Sequence, residues 1–238
     1  FNFNNLLFLF VFISSSLITL ISGERTSLAL LIISIILMFF TCKSIRKLIF
    51  FSFLFISITL TSLILTNEKT KKRMFNQTVK QLGLTSKSER MIIFSKTYEG
   101  HYTIALKMFK EKPFFGHGPK SFRKYCSEPN NYINDVACTT HPHNILMQLL
   151  SETGIAGTFF YITIFFYLIF KITKIAINSF FKGKNNENDY LTLMYIFYFI
   201  NLFPFAPSGN FFNNWLSAIY YFPLGYMFFL KNFKRKVQ

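Results

Sequence analysis

Acidic residues are scarce in this sequence, which has 10 Asp and Glu against 26 Lys and Arg. Other potential metal ligands are also few, with three cysteines and four histidines. None of them shows a recurring metal-site spacing with an acidic partner. No carboxylate is evidently placed as a covalent nucleophile, although Glu152 and Asp135 stay open as alternatives. Internal repeats are also missing, which argues against a repeat architecture.

Apolar residues, in contrast, make up 51% of the chain and include 34 Phe. A helix that crosses a hydrocarbon core of about 30 Å needs about 20 mainly apolar residues. Six runs of nearly this length are present, at residues 3–22, 27–41, 48–66, 155–170, 190–205 and 213–230. We predict an all-α membrane protein, a polytopic bundle of transmembrane helices with one large extracytoplasmic loop that contains short amphipathic helices.

The formal net charge of +16 could indicate a nucleic-acid partner, but the basic residues lie between the apolar runs. The short loops 43–47 and 171–190 and the tail 231–238 have three, four and four of them. Short loops rich in Lys and Arg stay cytoplasmic, and these three fall on one side if each run crosses once. We therefore predict a multi-pass membrane protein with no nucleic-acid partner.

This topology divides the chain into residues 1–66 with three transmembrane helices, 67–143 as a large extracytoplasmic loop in which any chemistry would lie, and 144–238 with three transmembrane helices and a basic cytoplasmic tail. The loop carries 14 basic and 6 acidic residues, and loops beyond about 60 residues translocate largely regardless of charge. We expect it to meet phosphates of lipids or lipid-linked substrates. Because the sequence begins with Phe1, we also expect that N-terminal helices are missing.

Within the outer loop, helical spacing of apolar residues at 89–112 predicts one or two amphipathic helices, which Pro113 would end. A turn at 113–119 follows, whose two glycines permit positive φ and the close approach of a backbone or a ligand. Two glycines and two basic residues could together bind an anion: Gly116, Gly118, Lys120 and Arg123. A simple structural turn is the alternative.

Cys126 and Cys138 both lie in the outer loop, where thiols are commonly oxidised. We predict that they pair, which on the chain-entropy estimate would stabilise the fold by roughly 3 kcal/mol. Cys42, at the cytoplasmic end of a run, is predicted to be a free thiol.

All four histidines lie in the outer loop, at positions 101, 117, 141 and 143. Pro142 cannot continue a helix, so His143 and Asn144 are predicted to form the first turn of a new one. The positive end of a helix keeps an imidazole near neutrality, and a neutral imidazole can accept a proton. His143 is either an active-site base or a structural histidine, and the His141-Pro142-His143 spacing disfavours a metal.

Arg25 lies between the first two runs, on the same outer face as the large loop. In the structural interpretation, its side chain reaches the membrane interface or pairs with Glu24. In the functional interpretation, its guanidinium binds two phosphate oxygens at once.

Three segments resemble the O-antigen ligase and polymerase superfamily: SGERTSL at 22–28, ALKMFKEKPFFGHGPKSF at 105–122 and HPHNILMQLLSETGIAG at 141–157. The resemblance covers roughly residues 20–170, and His-Asn followed by an apolar helix and Glu-x-Gly-x-x-Gly is its most specific part. It implies a bundle of about a dozen helices in the bacterial inner membrane, with an active site that faces the periplasm.

Members of this superfamily transfer a glycan from an undecaprenyl-pyrophosphate carrier to the lipid A core or to another lipid-linked glycan. By this resemblance Arg25 would hold the donor pyrophosphate and His143 would activate the acceptor hydroxyl. The family usually has a second arginine, but the corresponding segment of this chain, residues 96–102, contains none. Arg90 or Arg123 could substitute for it.

The sequence therefore predicts an O-antigen ligase- or polymerase-type glycosyltransferase that is metal-independent, inverting and without a cofactor. Its partners would be the lipid-linked donor, the glycan or lipid A core acceptor and membrane lipids. Beside the catalytic His143 and Arg25, substrate binding is predicted for Arg90, Arg123, Lys120, Gly116, Gly118, Asn144 and His141. The alternatives are a transporter or flippase of a lipid-linked or anionic solute and a structural membrane subunit.

Overall fold

The structure is a computed structural model that describes residues 3–72, 96–134, 136–183 and 189–237. Every regular element in these ranges is a helix. In chain order they are α1 (Phe3–Ser22), α2 (Arg25–Thr41), α3 (Arg46–Thr66), α4 (Glu68–Lys71), α5 (Lys96–Glu111), α6 (Phe122–Ser127), α7 (Ile145–Ala176), α8 (Asp189–Asn201) and α9 (Asn214–Val237). Each of the six apolar runs overlaps one of these helices.

Two segments are long and apolar enough to cross a membrane, Arg46–Thr66 and Ile145–Phe181, and two shorter apolar helices are Leu6–Ser22 and Arg25–Thr41. The prediction of an all-helical chain is thereby confirmed for the described residues, and two of its predicted spans have the length and composition of membrane-crossing helices. The number of crossings and the sides of the membrane stay predictions.

The helix of the fourth apolar run begins ten residues before the predicted span and extends beyond it, since α7 continues into a π-helical turn at Ile177–Phe181. Gly154, with φ 62° and ψ −159°, has a non-helical backbone, so two helical segments of α7 meet at a kink there. The short helix after His143 and the predicted span are these two segments, since the amides of Ile155 and Ala156 donate to carbonyls outside the helix.

Other bounds differ from the predicted ones by a few residues. Helix α5 lies inside the predicted stretch 89–112, of which residues 89–95 are outside the described ranges. Helix α8 ends at Asn201 rather than at 205, because Pro204 disfavours helical geometry in the residue before it. The six-residue helix α6 was not predicted.

The chain forms two compact units, one of residues 1–93 and 172–196 and the other of residues 94–171 and 197–238. In the first unit, α1, α2 and α3 contact one another. Arg46 fixes the basic loop after α2, because its guanidinium donates to the Phe39 carbonyl (2.8 Å) and to Ser179 Oγ (3.1 Å).

The second unit contains most of the outer loop. Its core lies between α5, α6 and the segment before α7, and consists of Ile104, Ala105, Met108, Phe122, Tyr125, Cys126 and Ala137. A disulfide joins Cys126 to Cys138, with 5.4 Å between the two Cα atoms. A second apolar cluster of Ile145, Leu149 and Tyr161 packs α7 against the residues around Leu202 and Phe211.

The turn after α5 and the kink of α7 pack backbone against backbone. The amides of His117 and Gly118 donate to the carbonyls of Ser151 (3.1 Å) and Glu152 (2.9 Å). In return, the amides of Ile155 and Ala156 donate to the carbonyls of Pro113 (2.8 Å) and Phe114 (3.1 Å). These four hydrogen bonds join the two glycine-containing segments.

Gly116 and Gly154 make this contact possible, because both have positive φ and neither leaves room for a side chain. A Cβ on Gly116 would lie 2.4 Å from the Glu152 carbonyl carbon, and one on Gly154 would lie 2.5 Å from that of Phe114. The backbone that approaches the predicted turn is thus that of α7.

Replacing Gly154 by Ala is expected to destabilise the protein more than the same change at Gly183, which has the same φ of 62° but open space around it. Gly183→Ala should cost about 1–2 kcal/mol for its left-handed backbone alone. Gly154→Ala should cost a further 1–3 kcal/mol, roughly, for overpacking. Thermal unfolding of both variants in detergent checks this, and equal losses would contradict the packing role.

Candidate functional site

Three of the four imidazoles of the chain converge beside the first turn of α7. The ring centroid of His143 lies 4.1 Å from that of His141 and 5.3 Å from that of His101 on α5. Tyr98, one turn before His101, places its ring 6.3 Å from that of His143. We call His101, His141 and His143 the imidazole cluster.

The two outer rings of the imidazole cluster are held by backbone carbonyls. His101 Nδ1 lies 2.8 Å from the Ala137 carbonyl oxygen, and His141 Nε2 lies 3.2 Å from that of Ser208. Because a carbonyl only accepts, these two nitrogens carry hydrogen, and His141 Nδ1 is left to accept from the Thr140 hydroxyl at 2.8 Å.

His143 is held differently, through its backbone. Its carbonyl accepts from the Ser208 amide at 2.9 Å, and its φ is 54°, in the left-handed region that is uncommon for residues other than glycine. Within the described ranges, neither nitrogen of its half-buried ring has a hydrogen-bond partner. The ring therefore keeps both nitrogens available for a bound molecule, on a backbone that is strained in the way functional sites often are.

The charge state of His143 follows from its surroundings. Burial, together with the smaller effects of the neighbouring His141 and His101, lowers the pKa of His143 to about 4. Burial also lowers the pKa of His141. His143 is therefore unprotonated at pH 7, as predicted, but burial is the largest cause in the structure, whereas the prediction relied on the helix end.

Asn144 begins α7 and ties it to the segment before α9. Its Oδ1 accepts from the Met147 amide (3.0 Å), which is the hydrogen bond of a helix N-cap. Its Nδ2 donates to the carbonyls of Pro204 (2.7 Å) and Ala206 (3.3 Å). The side-chain atoms of Asn144, like those of His141, thus contact protein, and substrate binding by these two residues stays a prediction.

A buried polar network continues along the same face of α7. Gln148 Nε2 donates to Glu152 Oε2 (3.0 Å) and to Asn210 Oδ1 (2.8 Å), and its Oε1 accepts from the Phe211 amide (2.9 Å). Glu152 Oε1 accepts from the Phe122 amide at 3.1 Å. This network holds the segment 204–212, and with it Ser208, against α7.

The sequence interpretation missed the roles of Gln148, Asn210 and His101. One signal was available, because Asn144, Gln148 and Glu152 recur every four residues and so share one helical face among apolar neighbours. Their tertiary partners had no comparable signal in the sequence.

The predicted anion-binding residues lie in different parts of the structure. Lys120 and Arg123 are exposed, and Lys120 has a positive φ of 62°. Arg25 is the first residue of α2 in the first unit, directly after Glu24 at the N-cap. Arg90 lies outside the described residues. Gly118, with a φ of 96°, has open space around its Cα.

The disulfide connects α6 to the segment that leads into the imidazole cluster, since Cys138 follows Ala137, whose carbonyl holds His101. No set of three or more His, Cys, Asp and Glu side chains within the described ranges is arranged to hold a metal ion.

The sequence profile of the family described as O-antigen ligase matches residues 9–162, more than half of the chain. The match includes α2, the whole outer loop, His143 and the kink of α7. Comparison with curated proteins and with solved structures gave no match. The family's activity is of ligase or polymerase type, a glycosyl transfer in the biosynthesis of O-antigen. The chain belongs to the O-antigen ligase family.

Proposed function

We propose that this chain moves a glycan from an undecaprenyl-pyrophosphate carrier to a lipid A core or glycan acceptor at the periplasmic face of the bacterial inner membrane. The observation that carries the proposal is His143, a half-buried imidazole without a hydrogen-bond partner among the described residues, inside the stretch that the family profile matches. Its two neighbouring imidazoles are both occupied by backbone carbonyls.

The reaction is a single displacement at the anomeric carbon. An acceptor hydroxyl attacks this carbon while His143 takes the hydroxyl proton, and the bond from the carbon to the pyrophosphate oxygen breaks, with its electron pair leaving on the pyrophosphate. The anomeric configuration is inverted, because attack and departure occur on opposite faces. A general base of this kind typically contributes about 10² to 10⁴ in rate.

The leaving pyrophosphate gains negative charge in the transition state, and fixed cations stabilise it. Arg25 is proposed for this role, because a guanidinium can bind two phosphate oxygens at once. Arg90, Arg123 or Lys120 would supply a second positive charge. In a partly desolvated site such groups lower the barrier by several kcal/mol.

The acid limb of the pH profile of kcat/KM is expected near pH 4 rather than near 6.5, because this limb reports the free enzyme, in which the pKa of His143 is about 4. Transfer should therefore stay constant from pH 7 down to about 5 and fall only as His143 becomes protonated. The acid limb of kcat reports the enzyme with bound donor. It should lie at higher pH, because the negative charge of the bound pyrophosphate stabilises the protonated ring of His143. Steady-state rates between pH 4 and 8 check this, and a kcat/KM limb at 6.5 would contradict it.

The function itself is tested with the complete protein in liposomes that contain an undecaprenyl-pyrophosphate glycan and a lipid A core or glycan acceptor. The proposal expects a new glycosidic product by mass spectrometry, with one undecaprenyl pyrophosphate released per bond formed. Movement of the intact donor across the bilayer without bond cleavage would instead support a flippase.

A further inference from the structure

His101 has no part in the displacement proposed above, yet it is one of the most completely buried polar residues of the second unit, with 1% of its surface exposed. It lies on α5, and its ring contacts both His143 and Tyr98. A histidine in such a position needs a physical reason, since burial of an imidazole requires hydrogen bonds to its nitrogens.

The hydrogen bond of His101 fixes the form of its ring. Its Nδ1 donates to the carbonyl of Ala137, 36 residues away along the chain. In the neutral ring the proton is therefore on Nδ1, and Nε2 is left with a lone pair.

Ala137 is itself held from three directions. Its amide hydrogen-bonds to Asn134, with 2.8 Å to Oδ1, and the next residue forms the disulfide with α6. On the side of α5 it packs so closely that a Cβ on Gly100 would lie 2.8 Å from the Ala137 Cβ. The Ala137 carbonyl is therefore a fixed acceptor, and His101 has one favoured orientation.

We propose that His101 is a positioning residue for His143: the Ala137 carbonyl orients the His101 ring, and the His143 ring packs between it and His141. This inference rests on the proposed function, in which His143 is the base. When His143 takes a proton from the acceptor, its imidazolium then lies between two rings whose orientations are fixed by hydrogen bonds to backbone carbonyls.

The titratable groups that face His143 come from two elements. His101 and Tyr98 face it from α5, and His141 faces it from its own segment. The segment 204–212, which contacts His143 through Ser208, contains no titratable side chain, and neither does the first turn of α7. Removal of the His101 ring is thus the change on α5 that most directly alters the surroundings of His143.

The test uses His101→Ala and His101→Asn in the complete protein. The Asn variant keeps an amide donor near the position of Nδ1, so that it can still bond to Ala137 if the Ala variant does not fold. Both are expected to lower kcat by about 10- to 100-fold, as for a misplaced catalytic group, without a change in the KM for the donor. His117→Asn is the matched control, because the His117 ring bonds to the Met108 carbonyl (3.0 Å) and contacts Tyr125 instead of the cluster.

A second readout does not depend on transfer. Diethyl pyrocarbonate modifies the unprotonated imidazole, so the pH midpoint of His143 modification, followed by peptide mass spectrometry, reports the surroundings of its ring. The midpoint is expected near 4 in the wild type and in His117→Asn, and to move toward 6.5 in both His101 variants.

The outcomes separate the two proposals. A midpoint that stays unchanged in both His101 variants would overturn the positioning role, whether or not kcat falls. If the midpoint shifts in both His101 variants but the wild-type protein transfers no glycan, the positioning role is kept and the proposed function is rejected. A shifted midpoint with reduced kcat and unchanged KM supports both.

Discussion

Replacement of His143 by Asn is expected to reduce glycan transfer by about 10²- to 10⁴-fold, the usual contribution of a general base. The loss should appear in kcat, because the half-buried ring of His143 acts on the acceptor proton only in the transition state. Asn is the sharpest replacement here, since it tolerates the left-handed backbone, φ 54°, that His143 adopts. Initial transfer rates of the purified variant in liposomes measure the effect.

The control for this experiment is His117→Asn, which removes another largely buried histidine of the same loop. His117 Nε2 bonds to the Met108 carbonyl and lies 3.6 Å from Glu111 Oε2, so its ring is used within the turn after α5. This variant should transfer at nearly the wild-type rate when equal amounts are folded. If His143→Asn were as active as His117→Asn, His143 would not be the base.

Replacement of Arg25 by Ala is expected to reduce transfer by about 10²- to 10³-fold, the typical cost of removing one group that stabilises the charge of the transition state. Arg25→Lys should be intermediate, because a Lys keeps the charge but cannot bind two phosphate oxygens in a planar fork. Both values come from initial transfer rates at saturating donor.

Lys47→Ala is the matched control for Arg25, since Lys47 is an exposed basic residue in the first turn of α3, on the side predicted to be cytoplasmic. It should leave the transfer rate unchanged. Equal rates for Arg25→Ala and Lys47→Ala would remove Arg25 from the proposed mechanism and leave the role to a cation of the outer loop.

The helical elements could be predicted because membrane burial requires about 20 apolar residues in sequence, and such runs are read directly. The start of α7 was equally clear, because Pro142 breaks the chain there and Asn144 caps the helix that follows. Local rules of this kind need no knowledge of tertiary partners.

The imidazole cluster could not be predicted, because helical spacing gives the face on which His101 lies but not the segment that packs against that face. The same reason applies to Gly116, where the sequence allows the close approach of either a ligand or a backbone. The structure shows the backbone of Glu152 and Thr153 there. Substrate binding at Gly116 remains a prediction without a contact of its own.

The neutrality of His143 was predicted from a local feature, the positive end of α7, whereas burial among other rings is the larger cause. The difference has a consequence for experiments. A pKa shift of His143 that came from the helix end would respond to a change of the N-cap residue Asn144. A pKa shift that comes from burial responds to a change of the ring at position 101, far away in the sequence.

The most direct measurement of the central claim is chemical rescue of His143→Gly by added imidazole. Glycine suits the left-handed backbone at this position and leaves the space of the missing ring open. We expect the variant to be inactive alone and to recover transfer in proportion to the concentration of unprotonated imidazole as pH is varied. Transfer by His143→Gly at the wild-type rate without imidazole would contradict the claim that this side chain is the proton acceptor.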